Sequence, residues 1–195
     1  MLGLVDSKKV VIVGIPGVGK TSLVTKLVEL ITQQSKTVSV HSFGTVMLEE
    51  AMKNGIKDRD ELRTLPIEKQ QELQKMAAED ISNMDDDVIL IDTHAFISTK
   101  SGFYPGLPNY VIQIIKPTNF IAITASPDEI HNRRMKDTTR NRDPVSIEDI
   151  KKELAVQDAM LSSCSVLSGS PMKVVFNHEG NVEEAAKSVL GAIGL

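Results

Sequence analysis

One cysteine, Cys164, is all the chain has, which excludes an intrachain disulfide and a cysteine-built metal site. Cys164 itself reads as a small apolar residue in a helix or loop. The four histidines, His41, His94, His131 and His178, are scattered without ligand spacing, which argues against a metal cage made by the protein. Positive charge is also in short supply. A formal net charge of −4 argues against a surface that coats nucleic acid, so no nucleic-acid partner is expected. No apolar run nears the roughly 18 residues of a membrane span, and no basic-then-apolar leader opens the chain, so no membrane association and a cytoplasmic location are expected. Repeats and low-complexity segments are missing too. What remains, 195 residues with 41% hydrophobic and 25% charged, fits a single soluble α/β domain with small insertions.

The stretch that organises the chain is Gly14-Ile15-Pro16-Gly17-Val18-Gly19-Lys20-Thr21, which satisfies G-x-x-x-x-G-K-[ST] at every fixed position. Before it, Val10-Val11-Ile12-Val13 reads as a fully buried strand. After it, Leu23, Leu27, Leu30 and Ile31 recur at helical spacing. Strand, glycine loop and helix in that order form a phosphate site. Consecutive backbone N–H groups converge on a polyphosphate, and the helix mouth adds partial positive charge. Gly14, Gly17 and Gly19 permit positive φ and close backbone approach, while Pro16 fixes φ within the loop. Lys20 is expected to reach the β- and γ-phosphates, and the Thr21 hydroxyl to ligate Mg²⁺, with Ser22 alongside. The chain is therefore read as binding a nucleoside triphosphate.

Thr37 to Phe43 alternates polar and apolar as an edge strand, broken by Gly44-Thr45; Val46 to Asn54 follows as a short helix closed by Gly55. Asp58 and Glu61 resemble a capping box for a helix that carries Arg59 and Arg63 on one face. Pro66 starts a helix to about Met84, with Leu73, Met76, Ala77 and Ile81 as its buried stripe. Val88 to Ile91 is a central parallel strand ending in Asp92-Thr93-His94, and Thr99 to Pro108, rich in Gly and Pro, reads as a loop. Asn109 to Lys116 is a short helix or turn, Phe120 to Ala125 another buried strand, and Ser126-Pro127-Asp128-Glu129 the cap of the next helix. That helix runs into the densest basic stretch, Arg133 to Pro144. Ser146 to Asp149 opens a long helix towards Ser163, Lys173 to Phe176 is the last strand, His178-Glu179-Gly180 a turn, and Val182 to Ala192 a final amphipathic helix. Strands alternating with helices predict an α/β fold: a doubly wound five-stranded parallel sheet, helices on both faces, ligands at the strands' C-terminal ends.

Asp92 ends an apolar strand, as a carboxylate that holds Mg²⁺ directly or through water would. Two separated arginine groups, Arg59 with Arg63 and Arg133, Arg134, Arg140 with Arg142, fit an enzyme that clamps a donor and an acceptor phosphate. Phosphoryl transfer asks mainly for positioning and charge neutralisation, and a mobile arginine-bearing cover keeps water from competing as acceptor.

On these residues the chain resembles the adenylate kinases, the archaeal type in particular, over nearly its whole length. The resemblance is carried by Gly14 to Thr21, Phe43 to Glu49, Arg59-Asp60-Glu61-Leu62-Arg63, Asp92-Thr93-His94, Gly102 to Pro108, Arg133-Arg134, Thr139 to Asp143 and Phe176-Asn177. It implies the P-loop nucleoside monophosphate kinase fold with a short lid, and the reaction ATP + AMP ⇌ 2 ADP with Mg²⁺ in the cytoplasm. It implies one P-loop kinase domain over 1–195, with a core, a monophosphate-binding insertion at about 43–84 and a lid at about 134–146. Donor contacts would come from Gly14 to Ser22 and, through the backbone, from Asn177 and His178. Phe43, Gly44, Thr45, Met47, Arg59, Arg63 and Gly106 would hold AMP, with Arg63 on its phosphate. Lys20, Arg134, Arg140 and Arg142 would be the catalytic cations, and Thr21 and Asp92 (through water) the metal contacts. A homotrimer is implied as well. The chain departs from the resemblance at Asp158, where an arginine is expected; Lys151 or Lys152 then stands as the substitute.

Two rivals remain open at this point. A kinase of CMP, UMP or GMP shares the arginines, because guanidinium groups recognise phosphate and not base. A P-loop switch protein would show Asp-x-x-Gly and Asn-Lys-x-Asp, whereas Asp92-Thr93-His94-Ala95 lacks the glycine and no Asn-Lys-x-Asp occurs.

Overall fold

A computed structural model describes residues 7–99, 102–136 and 145–195, without the side chain of Arg63. In chain order the elements are β1 (Lys8–Val13), α1 (Lys20–Gln33), β2 (Val38–Ser42), α2 (Phe43–Lys53), α3 (Arg59–Thr64) and α4 (Ile67–Ser82). Then come β3 (Val88–Thr93), β4 (Phe96–Thr99), β5 (Gly102–Pro105), α5 (Asn109–Ile115), β6 (Asn119–Thr124), α6 (Pro127–Lys136), α7 (Ile147–Ser168), β7 (Met172–Phe176) and α8 (Val182–Ile193). Five strands make one parallel sheet in the order β2-β3-β1-β6-β7.

The three central strands are apolar on both faces because both faces are covered. Val10 and Ile12 of β1, with Leu90 of β3 and Ile121 and Ile123 of β6, pack towards α1 and α8. Their alternates Val11, Val13, Ile89, Ile91, Phe120 and Ala122 pack towards α2, α4 and α5. Full burial of a side chain such as Phe120 contributes about 1.5–3 kcal/mol, which is why these runs tolerate no polar interruption before their C-terminal ends. The first polar residue along β3 is Asp92, paired in register with Ile12 and followed by Thr93 opposite Val13. The chain's first chemistry-bearing carboxylate thus stands beside the strand that feeds the glycine loop.

Caps fall where the sequence puts them. Asp58 accepts from the N–H groups of Asp60 and Glu61, and Ser146 and Asp149 make a reciprocal capping box at the start of α7.

Four expectations are corrected. The expected loop over 99–108 is partly strand: Thr99 ends β4 and Gly102–Pro105 form β5, the two strands pairing antiparallel. Its breakers sit at the ends, Gly102 opening β5 and Pro105 closing it, so Phe103 and Tyr104 are free to enter the ladder. Phe103 also meets the Phe96 ring edge-on, centroids 5.0 Å apart, which anchors the hairpin. Gly44-Thr45 does not break the chain either. Helix α2 begins at Phe43, because Phe43, Val46, Met47 and Ala51 form a buried stripe that outweighs the glycine's poor helix propensity. In α4 the buried stripe is Leu73, Ala77, Ala78 and Ile81, while Met76 stands outside it, 37% exposed. Helix α7 also runs one turn past Ser163, to Ser168.

Candidate active site

The glycine loop leaves the buried end of β1 and enters α1 through two residues with positive φ, Gly17 at 92° and Gly19 at 80°. Such φ values are strained for any residue with a Cβ. A Cβ at Gly19 would also lie 2.5 Å from the Asn177 amide nitrogen, and one at Gly14 2.7 Å from Val18 Cγ2. Both glycines are therefore required by protein packing as well as by phosphate approach. Ile15 and Val18 turn their side chains into the core, leaving loop backbone outside.

The loop's carbonyls are engaged from behind. Asn177 Nδ2 donates to Val18 O at 2.8 Å and Gly19 O at 3.3 Å. Arg133 Nη1 donates to Gly17 O and Val18 O, its Nη2 to Asn177 O at 3.0 Å, and Arg134 Nε to Pro16 O at 2.8 Å. Val18 N–H donates to Ile15 O at 3.4 Å, and the first N–H groups of α1, which have no partner within the helix, are left for a phosphate at the helix mouth.

Lys20, the first residue of α1, meets the Asp92 carboxylate and donates to Thr93 O at 3.2 Å. Burial lowers the Lys20 ammonium to about 8, and its pairing with Asp92 is the interaction that opposes this and favours the charge. Thr21 is exposed at the helix mouth. A hydroxyl on α1 and a carboxylate on the neighbouring strand are hard oxygen donors on adjacent elements, a set that fits Mg²⁺ completed by water and phosphate oxygens. Among the described residues no cluster of three or more His, Cys, Asp and Glu offers a metal cage.

A cleft opens from this floor between α2, α3, α4 and the β4–β5 hairpin. It is lined by Lys20, Asp92, Thr93, His94, Ser42, Phe43, Gly44, Met47, Arg59, Gln74, Ile97 and Gly106. Five residues expected to hold the acceptor, Phe43, Gly44, Met47, Arg59 and Gly106, thus line one cleft. Thr45 joins them by accepting from Arg59 Nη2 at 3.0 Å. Arg63 belongs to α3, but its side chain lies outside the described residues. At Gly106 a Cβ would overlap the His94 carbonyl, while the Gly106 N–H donates to Ala95 O at 2.9 Å, so the hairpin lies tight against the end of β3.

The later arginines divide. Arg133 and Arg134 brace the glycine loop, and Arg134 is ion-paired with Glu153 of α7 at 2.6 Å. Arg140, Arg142 and most of the expected lid lie outside the described residues. The 177–180 turn is tied to α6 by Glu129, whose carboxylate accepts from Glu179 N at 3.1 Å and from Ser126. These backbone hydrogen bonds hold its carboxyl down at about 2. His178 Nδ1 lies 3.5 Å from Glu129, and its ring stacks on Phe176. Burial pushes the Asp158 carboxyl up, with Oδ1 and the neighbouring Gln157 Nε2 both buried and unpaired. Of the lysines suggested as substitutes, Lys151 pairs with Glu148 and Lys152 lies over the Phe103 ring.

Sequence reasoning missed Gln74, Ser42, Ile97 and the part played by the Asn177 side chain. Gln74 sits one step from the buried stripe of α4, and nothing in the sequence separates it from Gln70 or Gln71.

A family model described as an AAA domain matches residues 13–151. The chain is 37% identical over 186 residues to "Adenylate kinase" of Methanocaldococcus jannaschii, covering 94% of this chain and 97% of the relative. It is 40% identical over 191 residues to "Adenylate kinase" of Sulfurisphaera tokodaii, again covering 94% and 97%. With that of Thermoplasma acidophilum it shares 36% over 186 residues, covering 95% and 98%. Among solved structures, shikimate kinase from Bacteroides thetaiotaomicron superposes with a TM-score of 0.58 at 12% identity, covering 96% of this chain and 99% of that one. At that identity the match speaks for the P-loop kinase fold alone.

Proposed function

The chain belongs to the adenylate kinases, within the AAA-domain family whose model spans residues 13–151, and we propose that it catalyses ATP + AMP ⇌ 2 ADP in the cleft above Lys20 and Asp92. The observation that carries the reading is the shared floor. The glycine loop and the wall built by Phe43, Met47 and Arg59 open on the same Lys20–Asp92 pair, so a donor on one and an acceptor on the other would meet end to end.

In this reading the donor's phosphates lie on the amides of residues 14–21 and on the α1 mouth, and Lys20 moves its charge from Asp92 to the β- and γ-oxygens. Thr21 and, through water, Asp92 would hold Mg²⁺, which would supply charge neutralisation for the phosphates. Arg59 and Arg63 take the acceptor phosphate, while Arg134, Arg140 and Arg142 close from the α6 side, excluding water and spreading the transition-state charge. Arg134 must exchange Glu153 for phosphate to do so. The adenine of ATP lies on the 177–180 turn. The finer reading extends to three units of function (a core, an insertion at about 43–84 and a lid at about 134–146), a cytoplasmic location and a homotrimer. No helix among the described residues is long and apolar enough to cross a membrane.

The test mixes the purified chain with ATP, AMP and Mg²⁺ and follows ADP. Two ADP formed per ATP consumed supports the reading. ATP loss without AMP loss overturns it, and faster turnover of CMP, UMP or GMP reassigns the acceptor.

A further inference from the structure

We propose that Gln74, oriented by Tyr110, reads the acceptor base, favouring adenine, whose exocyclic amino group stands beside a ring nitrogen acceptor, over its 6-oxo counterparts. The inference rests on the acceptor reading of the cleft given above.

The polar residues of the cleft divide by position. Ser42 is in register with Asp92, and Thr93 and His94 follow Asp92 directly, so all three stand by the Lys20–Asp92 floor where phosphate is expected. Gln74 comes from α4, and the cleft it lines is also lined by Phe43, Met47 and Ile97, apolar surfaces suited to the faces of a flat ring. Among the described lining residues it is the one carboxamide, a group with a donor and an acceptor side by side.

The amide has a preferred orientation, because flipping it would set NH₂ against the Tyr110 hydroxyl and leave the phenol proton without this acceptor. Tyr110, in the first turn of α5, donates its hydroxyl to Gln74 Oε1. Burial pushes the Tyr110 phenol up, so it stays a donor, and Lys75 Nζ lies over its ring, 5.6 Å from the centroid. One lone pair of Oε1 is thereby used and the second remains, while Nε2 donates to nothing else among the described residues. The edge offered to the cleft is one N–H donor beside one carbonyl acceptor. Adenine presents the complement, N1 accepting and N6–H donating, and a bidentate Gln–adenine pair is a well-matched contact. Hypoxanthine and guanine present a ring N–H beside a single carbonyl oxygen, and would need the amide flipped, with NH₂ against the Tyr110 hydroxyl. Uracil has a carbonyl on each side of its N3–H and can meet the amide either way round, so ring size must exclude it. Cytosine shares adenine's amino pattern, so the amide does not separate those two; ring size must.

The experiment compares kcat/KM for AMP and for IMP, which exchanges the 6-amino group for an oxo group at nearly constant shape, in the wild-type chain, in Tyr110→Phe and in Gln74→Met. Tyr110→Phe keeps the ring and frees the amide; Gln74→Met keeps volume and helix propensity but removes both hydrogen bonds. The expected result is an AMP preference in the wild type that falls by on the order of tenfold in each variant, with KM for AMP rising more than KM for ATP. An AMP/IMP ratio unchanged in both variants, or AMP and IMP lost equally, overturns the proposal. A wild-type chain that makes ADP from AMP while either result holds leaves the acceptor reading intact. One that makes no ADP overturns both.

Discussion

At Lys20, burial and charge pull in opposite directions. Desolvation lowers the ammonium to about 8, and Asp92 is the partner that opposes it. A cation so placed loses little reorganisation energy when phosphate replaces carboxylate, which is what a preorganised transition-state donor requires. Lys20→Ala should lower turnover by about 10²–10³-fold in an ADP-forming assay; near-normal turnover contradicts the loop's catalytic part. Glycines at the two ends of the cleft separate stability from binding. Gly106→Ala places a Cβ on the His94 carbonyl and should cost about 1–3 kcal/mol in urea unfolding, so an unchanged midpoint refutes the tight hairpin contact. Gly44 has nothing within 4 Å of its Cβ position and sits in the first turn of α2. Gly44→Ala should therefore leave stability equal or raise it by up to about 1 kcal/mol, while raising KM for AMP. A stability loss would mean the cleft wall is packed and not open.

Between elements, the network around Glu129 joins three pieces: the start of α6, the 177–180 turn and, through Arg133 and Asn177, the glycine loop. Arg133→Ala should raise KM for ATP more than KM for AMP, since it releases loop carbonyls and not the acceptor wall; equal rises contradict this. Glu129 has its folded pKa depressed to about 2, from an ordinary value of 4.5. Its charge therefore stabilises fully above the ordinary value and loses that contribution as pH falls towards 2. The melting-temperature gap between wild type and Glu129→Gln should shrink from neutral pH to about pH 3, and a constant gap would show that packing, not charge, is lost. At this scale the sequence is legible where a periodic pattern is long and its caps are polar, as for α7 and its Ser146–Asp149 box. It misleads where breakers stand at element ends, as with Gly102 and Pro105 around β5. Gly44 misled for a related reason: the stripe that overrides it begins one residue earlier, at Phe43.

Over the whole molecule, three continuous apolar runs, strands alternating with helices and a glycine loop were enough to foresee a parallel sheet with its site at the strands' C-terminal ends, because burial of the central strands on both faces requires helices on both sides. Strand order sets Asp92 beside the loop through the β1–β3 register, and this too follows from the motif. The convergence of Gln74, Tyr110 and Gly106 on one cleft does not, since it depends on how α4, α5 and the hairpin pack, and side-chain identity alone carries no record of that. In the proposed reaction two nucleotides lie end to end across Lys20 and Asp92. A calorimetric titration with a bisubstrate dinucleotide, two adenosines joined through a polyphosphate, tests it most directly. One molecule bound per chain, displaced by ATP and by AMP alike, is the predicted result. A ligand that competes with only one of them, or that binds twice per chain, would contradict it.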